Sequence, residues 1–163
     1  LGDTDQLTGL VNLRKLEHRL TLHYESYVRY SVPTSILMLD LDNLKKINDS
    51  KGHHVGDEAI RAVANILRST LRNTDCACRL GGDEFVVILP NTEHEHAIQL
   101  AKRIHDSFKK ELSRFSVDNS VVTASIGVTA IVPEDRSYQD TIKRADIALY
   151  EAKNGGKDRI VSA

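Results

Sequence analysis

Residues 35–42, Ser-Ile-Leu-Met-Leu-Asp-Leu-Asp, form a continuous apolar run that closes in acid. A run without alternation predicts a central strand buried on both faces. Asn12 reads as the N-cap of a long helix over 13–30. Residues 48–56 are polar with two glycines and predict a loop or a broken helical turn. From Asp57 to Arg72, Ile60, Val63, Leu67 and Leu71 recur at helical spacing. Residues 76–80 and 85–89 predict two short strands around Gly81-Gly82-Asp83-Glu84, a hairpin tip whose glycines permit positive φ. Thr92 with Glu95 reads as a capping box for a helix to about residue 112. Over 121–128, Val122, Ala124, Ile126 and Val128 share one face of a strand. Ser137 caps a helix with the stripe Tyr138, Ile142, Ala145, Leu149 and Ala152. Gly155-Gly156 ends it, and a last strand runs from Arg159 to Val161. The order α-β-α-β-β-α-β-α-β predicts an α/β (α+β) domain with a mixed central sheet and helices packed around it.

The 163 residues are expected to form one domain, since no linker, repeat or charge block divides them. Lys plus Arg number 22 against 23 Asp plus Glu, a net charge of −1, which argues against wrapping duplex nucleic acid. No apolar run approaches the ~18 residues needed to span a bilayer. The first residue is Leu1, not Met. The chain is therefore expected to be the C-terminal part of a longer protein, with any sensor or membrane segment upstream. Cys76 and Cys78 share one strand face, read as small buried thiols in a reducing compartment.

The candidate chemistry is acidic. Period two puts Asp40 and Asp42 on the same face at the end of a buried strand, where an uncompensated carboxylate is costly. A hydrogen bond, an arginine or a metal could compensate it. Asp83-Glu84 follow glycines that let backbone approach a phosphate chain. Acids from two separated segments suit a hard divalent cation whose other sites are filled by water and phosphate. Gly155-Gly156-Lys157 lacks the rest of a P-loop, His94-Glu95-His96 has the wrong spacing for a helical zinc protease, and no dinucleotide fingerprint or nucleophile elbow occurs.

Gly81-Gly82-Asp83-Glu84-Phe85 resembles the signature of the GGDEF family of diguanylate cyclases, and further motifs follow suit. Asp5-Gln6-Leu7-Thr8-Gly9-Leu10 resembles its D-x-LTGL opening. Asp40-Leu41-Asp42 through Lys45 and Asn48-Asp49 resembles DxDxFKxxND. Gly52-His53-His54-Val55-Gly56-Asp57 is similar to GHxxGD. Arg79-Leu80 precede the signature, and Ser125-Ile126-Gly127 and the run from Ala145-Asp146 to Ala152-Lys153 resemble SxG and ADxALYxAK. The resemblance covers residues 3–161.

It implies a ferredoxin-like, nucleotidyl-cyclase-type fold and the condensation of two GTP into cyclic di-GMP and two pyrophosphates. Two domains would face each other in a homodimer, one GTP in each. Asp40, Asp83 and the Leu41 carbonyl are the implied ligands of Mg²⁺ or Mn²⁺, and Glu84 the implied helper in deprotonating the 3′-hydroxyl. Asn48 and Asp57 would read guanine, because a carboxylate accepts from N1–H and the exocyclic amine together and adenine offers no such pair. Lys45, Lys153 and Lys157 would meet phosphates, with Gly81 and Gly82 against the nucleotide and Leu44 packed below it. Arg72 and Asp75, with Arg103 as a second arm, match the RxxD site at which product inhibits. The resemblance also implies a bacterial signalling protein with the domain in the cytosol. An inactive module that binds GTP or cyclic di-GMP as a receptor is the alternative.

The sequence departs from the family at Leu44, where Phe is usual, at Leu13, within the expected Asn-Arg-Arg, and at Lys157-Asp158, which stand for Arg-Asn. Lys157 keeps the charge but loses the bidentate phosphate geometry of arginine, and Asp158 adds a negative charge nearby, so activity is expected with weaker GTP affinity.

Overall fold

A computed structural model describes residues 2–163. In chain order it contains α1 (Leu13–Tyr30), β1 (Thr34–Asp42), α2 (Leu44–Lys51), α3 (His53–Thr70), β2 (Cys76–Gly81), β3 (Glu84–Pro90), α4 (His94–Leu112), β4 (Ser116–Val117), β5 (Ser120–Val121), β6 (Thr123–Ala130), α5 (Tyr138–Asn154) and β7 (Ile160–Ser162). Five strands form one sheet in the order β2-β3-β1-β6-β7. All neighbours are antiparallel except β6 and β7, so the sheet is mixed, as expected.

The apolar run of β1 explains its central place. Its odd positions Leu37, Leu39 and Leu41 join Phe85, Val87, Ile126 and Val128 in a cluster completed by α3 and α4. Its even positions Ile36 and Met38 join Val86 and Ile88 against Leu16 and Leu20 of α1 and Ala145 and Leu149 of α5. Each face is therefore covered by helices, and the same parity sends Asp40 and Asp42 toward the α5 side. Cys76 and Cys78 are free and buried on that face. Burial pushes the Cys78 thiol up to about 12.

Several expectations need correction. The segment 48–56 is two helical pieces broken at Gly52, and α3 starts at His53 rather than Asp57. The hairpin β4–β5 was not foreseen, because two-residue strands are too short to alternate. The Thr92–Glu95 capping box does not form. The N-cap of α4 is Glu93, without a side-chain bond. The Thr92 hydroxyl instead donates to the Pro90 carbonyl and accepts from Arg72. Ser137 likewise makes no side-chain cap bond, whereas Asn12 accepts from the Lys15 N–H as predicted. Among the described residues, no helix is long and apolar enough to cross a membrane.

Candidate active site

The acids converge where β1 ends. Asp40 faces Glu84 across the β1–β3 ladder, and the Leu41 N–H donates to the Asp83 carbonyl at 3.0 Å. This ties the β2–β3 turn to the end of β1. Gly81 and Gly82 make the turn with φ of +140° and +54°, backbone that side chains with a Cβ rarely adopt. Asp83 thereby stands as a charged neighbour of Asp40. Burial pushes the Asp40 carboxyl up to about 7; Lys153 opposes this, and the neighbouring Asp83 and Glu84 add to it. One Asp40 oxygen, Oδ1, is buried with no hydrogen-bond partner.

Asp42 plays a different part from Asp40. Its Oδ1 accepts from Ser125 Oγ at 2.8 Å and Lys153 Nζ at 2.7 Å. Its Oδ2 accepts from Thr123 Oγ1 at 2.7 Å and the Asp158 N–H at 3.0 Å. Burial pushes this carboxyl up, but the Lys153, Thr123, Asp158 and Ser125 donors outweigh burial and hold it below the usual carboxylate range. Of the compensations open to the acidic strand end, Asp42 has hydrogen bonds and a lysine. Lys153 also reaches the Leu41 carbonyl at 3.3 Å and Asp40 Oδ2 at 3.6 Å. The ammonium thus bridges the two acids.

α2 and α3 form the other wall. Leu44 is buried at the start of α2, with Lys45 exposed beside it. Asn48 lies against Gly56 of α3: a Cβ there would sit 1.7 Å from Asn48 Oδ1. That oxygen is buried and unpartnered. Asp57 follows, half-buried. Lys157 is exposed in the turn after α5.

A divalent cation fits this donor set. The Asp40 carboxyl and the Leu41 carbonyl share Lys153 at one strand end, Asp83 neighbours Asp40, one buried Asp40 oxygen has no partner, and hard cations take such oxygen ligands. Among the described residues no group of three or more His, Cys, Asp or Glu forms a metal cluster.

Arg72 and Asp75 lie at the other end of β2 from the glycine turn. Asp75 accepts from the Arg72 N–H at 2.8 Å and from its guanidinium at 2.9 Å. The same guanidinium donates to the Pro90 carbonyl and to Thr92. The Asp75 side chain is 2% exposed, whereas Arg72 is 55% exposed, so the arginine covers a buried acid from the surface. A cavity of about 430 Å³ beside it is lined by Gly9, Arg19, Arg68, Arg72 and Asp75 among others. Arg103 is exposed on α4.

Sequence reasoning missed three supporting residues. Thr123 and Ser125 could have been found from their alternation on β6 opposite two acids. Arg79 donates to the Gly82 carbonyl at 2.8 Å and to Asp5 at 3.3 Å, and Asp5 also accepts from the Thr8 N–H and hydroxyl. Nothing local in sequence pairs residues 74 positions apart.

The model for the family described as "Diguanylate cyclase, GGDEF domain" matches residues 2–159. The response regulator PleD of Caulobacter vibrioides is 40% identical over 163 residues, covering 99% of this chain and 36% of that protein. The probable diguanylate cyclase DgcC of Escherichia coli is 38% identical over 159 residues, covering 98% of this chain and 43% of that protein. The chain thus spans about two-fifths of the length of these curated relatives. The solved GGDEF domain of DgcB from Caulobacter crescentus, in complex with c-di-GMP, superposes with a TM-score of 0.89 at 28% identity, covering 99% of this chain and 96% of that one. With the acids of the signature gathered at one strand end and the family model spanning nearly every residue, the chain belongs to the GGDEF domain family of diguanylate cyclases.

Proposed function

We infer that this domain condenses two GTP into cyclic di-GMP and two pyrophosphates, working as a homodimer in which each subunit holds one nucleotide. The observation that carries the reading is the tie between the Gly81-Gly82 turn and the end of β1, where the Leu41 N–H donates to the Asp83 carbonyl beside Asp40, with buried oxygens on Asp40 and Asn48 left without partners. Asp40, Asp83 and the Leu41 carbonyl would hold Mg²⁺ or Mn²⁺. When bound, such an ion neutralises the leaving pyrophosphate and polarises the α-phosphate.

The rest falls to the chain. Asn48 and Asp57 accept from the guanine edge, and Asn48 Oδ1 gains the partner it lacks. A base without the matching donors would leave these acceptors desolvated and unpaired, which selects GTP over ATP. Lys45 and Lys157 meet phosphate charge, and Lys153 does so from its bridge between Asp40 and Asp42. Glu84, exposed beside the acid pair, takes the 3′-hydroxyl proton transiently. Arg72, Asp75 and Arg103 form the inhibitory product site. Product binding there turns the Arg72 guanidinium away from Pro90 and Thr92 toward guanine. Two reduced, buried cysteines agree with a cytosolic setting.

The test is turnover. With GTP and Mg²⁺ the purified protein is expected to yield cyclic di-GMP, and Asp83→Asn or Asp40→Asn to stop it. Product chromatography without cyclic di-GMP at high protein concentration, alongside retained GTP binding, would instead make the domain a nucleotide receptor.

A further inference from the structure

Asp158, one of the departures from the family pattern, occupies a specific place. It follows Lys157 in the turn between α5 and β7, and both adopt left-handed backbone, with φ of +66° and +50°. Two consecutive non-glycine residues in that region persist only where their surroundings hold them. The Lys157 N–H donates to the Ala152 carbonyl, and the Lys157 carbonyl accepts from Arg159 Nε. The Asp158 N–H donates to Asp42 Oδ2 at 3.0 Å.

The Asp158 carboxylate points away from Asp42, toward α4. His105 Nε2 lies 2.7 Å from its Oδ1, and Lys109 Nζ donates to its Oδ2 at 3.0 Å. The two partners are four residues apart, on neighbouring turns of one helix face. His105 is 15% exposed at its side chain and Asp158 30%, so the contact with the ring is largely out of water. The added negative charge is therefore met on its own side of the turn. The repulsion of phosphate expected from sequence is offset by Lys109.

The geometry points to Asp158 as a positioning residue for GTP binding. Its carboxylate clamps the turn to α4, its N–H braces Asp42, and the clamped turn presents Lys157 to the triphosphate. Asp42 in turn holds Lys153 at 2.7 Å beside Asp40. One chain of contacts thus runs from α4 to both lysines without Asp158 touching substrate. The inference rests on reading this cleft as a GTP site.

The experiment is a double-mutant cycle read by calorimetric titration of GTP with Ca²⁺, and by turnover with Mg²⁺. Asp158→Gly keeps the left-handed backbone free of strain and removes only the clamp. It is expected to weaken GTP binding about five- to twentyfold, with kcat within about threefold, as for loss of charge-assisted hydrogen bonds. His105→Ala is expected to weaken binding about threefold or more, and the double variant no further than Asp158→Gly alone, because both act through one contact. Asp158→Asn, which tolerates the same backbone and keeps an acceptor for His105, recovers most of the affinity. Unchanged GTP affinity in Asp158→Gly, or additive losses in the double variant, overturns the assignment. Should Asp158→Gly fail to fold, unchanged affinity in folded His105→Ala overturns it equally. Wild-type protein that binds GTP without turnover, and loses affinity in these variants, sinks the cyclase reading and leaves Asp158 its role. Wild-type protein that binds no GTP sinks both.

Discussion

Gly56 shows how one missing methyl group shapes the proposed guanine contact. Asn48 Oδ1 occupies the space that a Cβ would need, and it has no other partner. Gly56→Ala sets two effects against each other. Alanine in a helix is worth about 1 kcal/mol over glycine, while the Asn48 amide must rotate out of the way. The amide is the end of a flexible side chain, so stability should stay within about 1 kcal/mol of wild type. GTP affinity should fall about tenfold, the cost of one mispositioned buried hydrogen bond. A thermal melt beside a GTP titration checks both halves, and equal affinity would remove Asn48 from the base-reading role. The acids, the glycines and Asn48 were legible because their motifs resemble a known signature. Asp42 was legible only as an acid on the same face as Asp40. Its four donors come from β6, α5 and the turn before β7, and no local pattern announces such a meeting.

Among the elements, the long ones could be read and the short ones could not. β1 is uniformly apolar because helices cover both its faces, and α1 matched its predicted limits through a working Asn12 cap. The Thr92 cap failed because Arg72 and Pro90, remote in sequence or outside the helix, compete for the same hydroxyl. The β2–β3 turn shows the reverse dependence of a local element on distant support. Arg79 places two nitrogens on the Gly82 carbonyl and a third on Asp5, joining the turn to the start of the chain. Arg79→Ala should cost about 1 kcal/mol of stability, as for a partly buried charge-assisted contact. It should lower kcat about tenfold by loosening the turn that carries Asp83 and Glu84. Kinetics at saturating GTP test this, and an unchanged kcat would show that the tie to Gly82 is structural only.

Among the described residues the signature acids gather at one strand end, enough for one nucleotide, while the proposed reaction needs two nucleotides attacking each other. Turnover per molecule should therefore rise with protein concentration, and the total rate should approach second-order dependence in the dilute range. Activity strictly proportional to concentration down to the lowest detectable level, with a monomer in sedimentation, would contradict catalysis across two subunits. The general architecture was readable from element order, since a hairpin between helix-linked strands restricts the sheet to few arrangements. The site's electrostatics were not, because they depend on β1 pairing with β6, more than eighty positions further along the chain.

Asp42 is braced by Thr123, Ser125, Lys153 and Asp158, all in the last quarter of the chain. During synthesis its carboxylate therefore waits, unsupported, until residues 123 to 158 have followed it out of the ribosome. A product cut short before residue 158 has every letter of the signature and lacks the brace that finishes the cleft. The proposed nucleotide cleft is thereby finished only when the turn that carries Asp158 has been made.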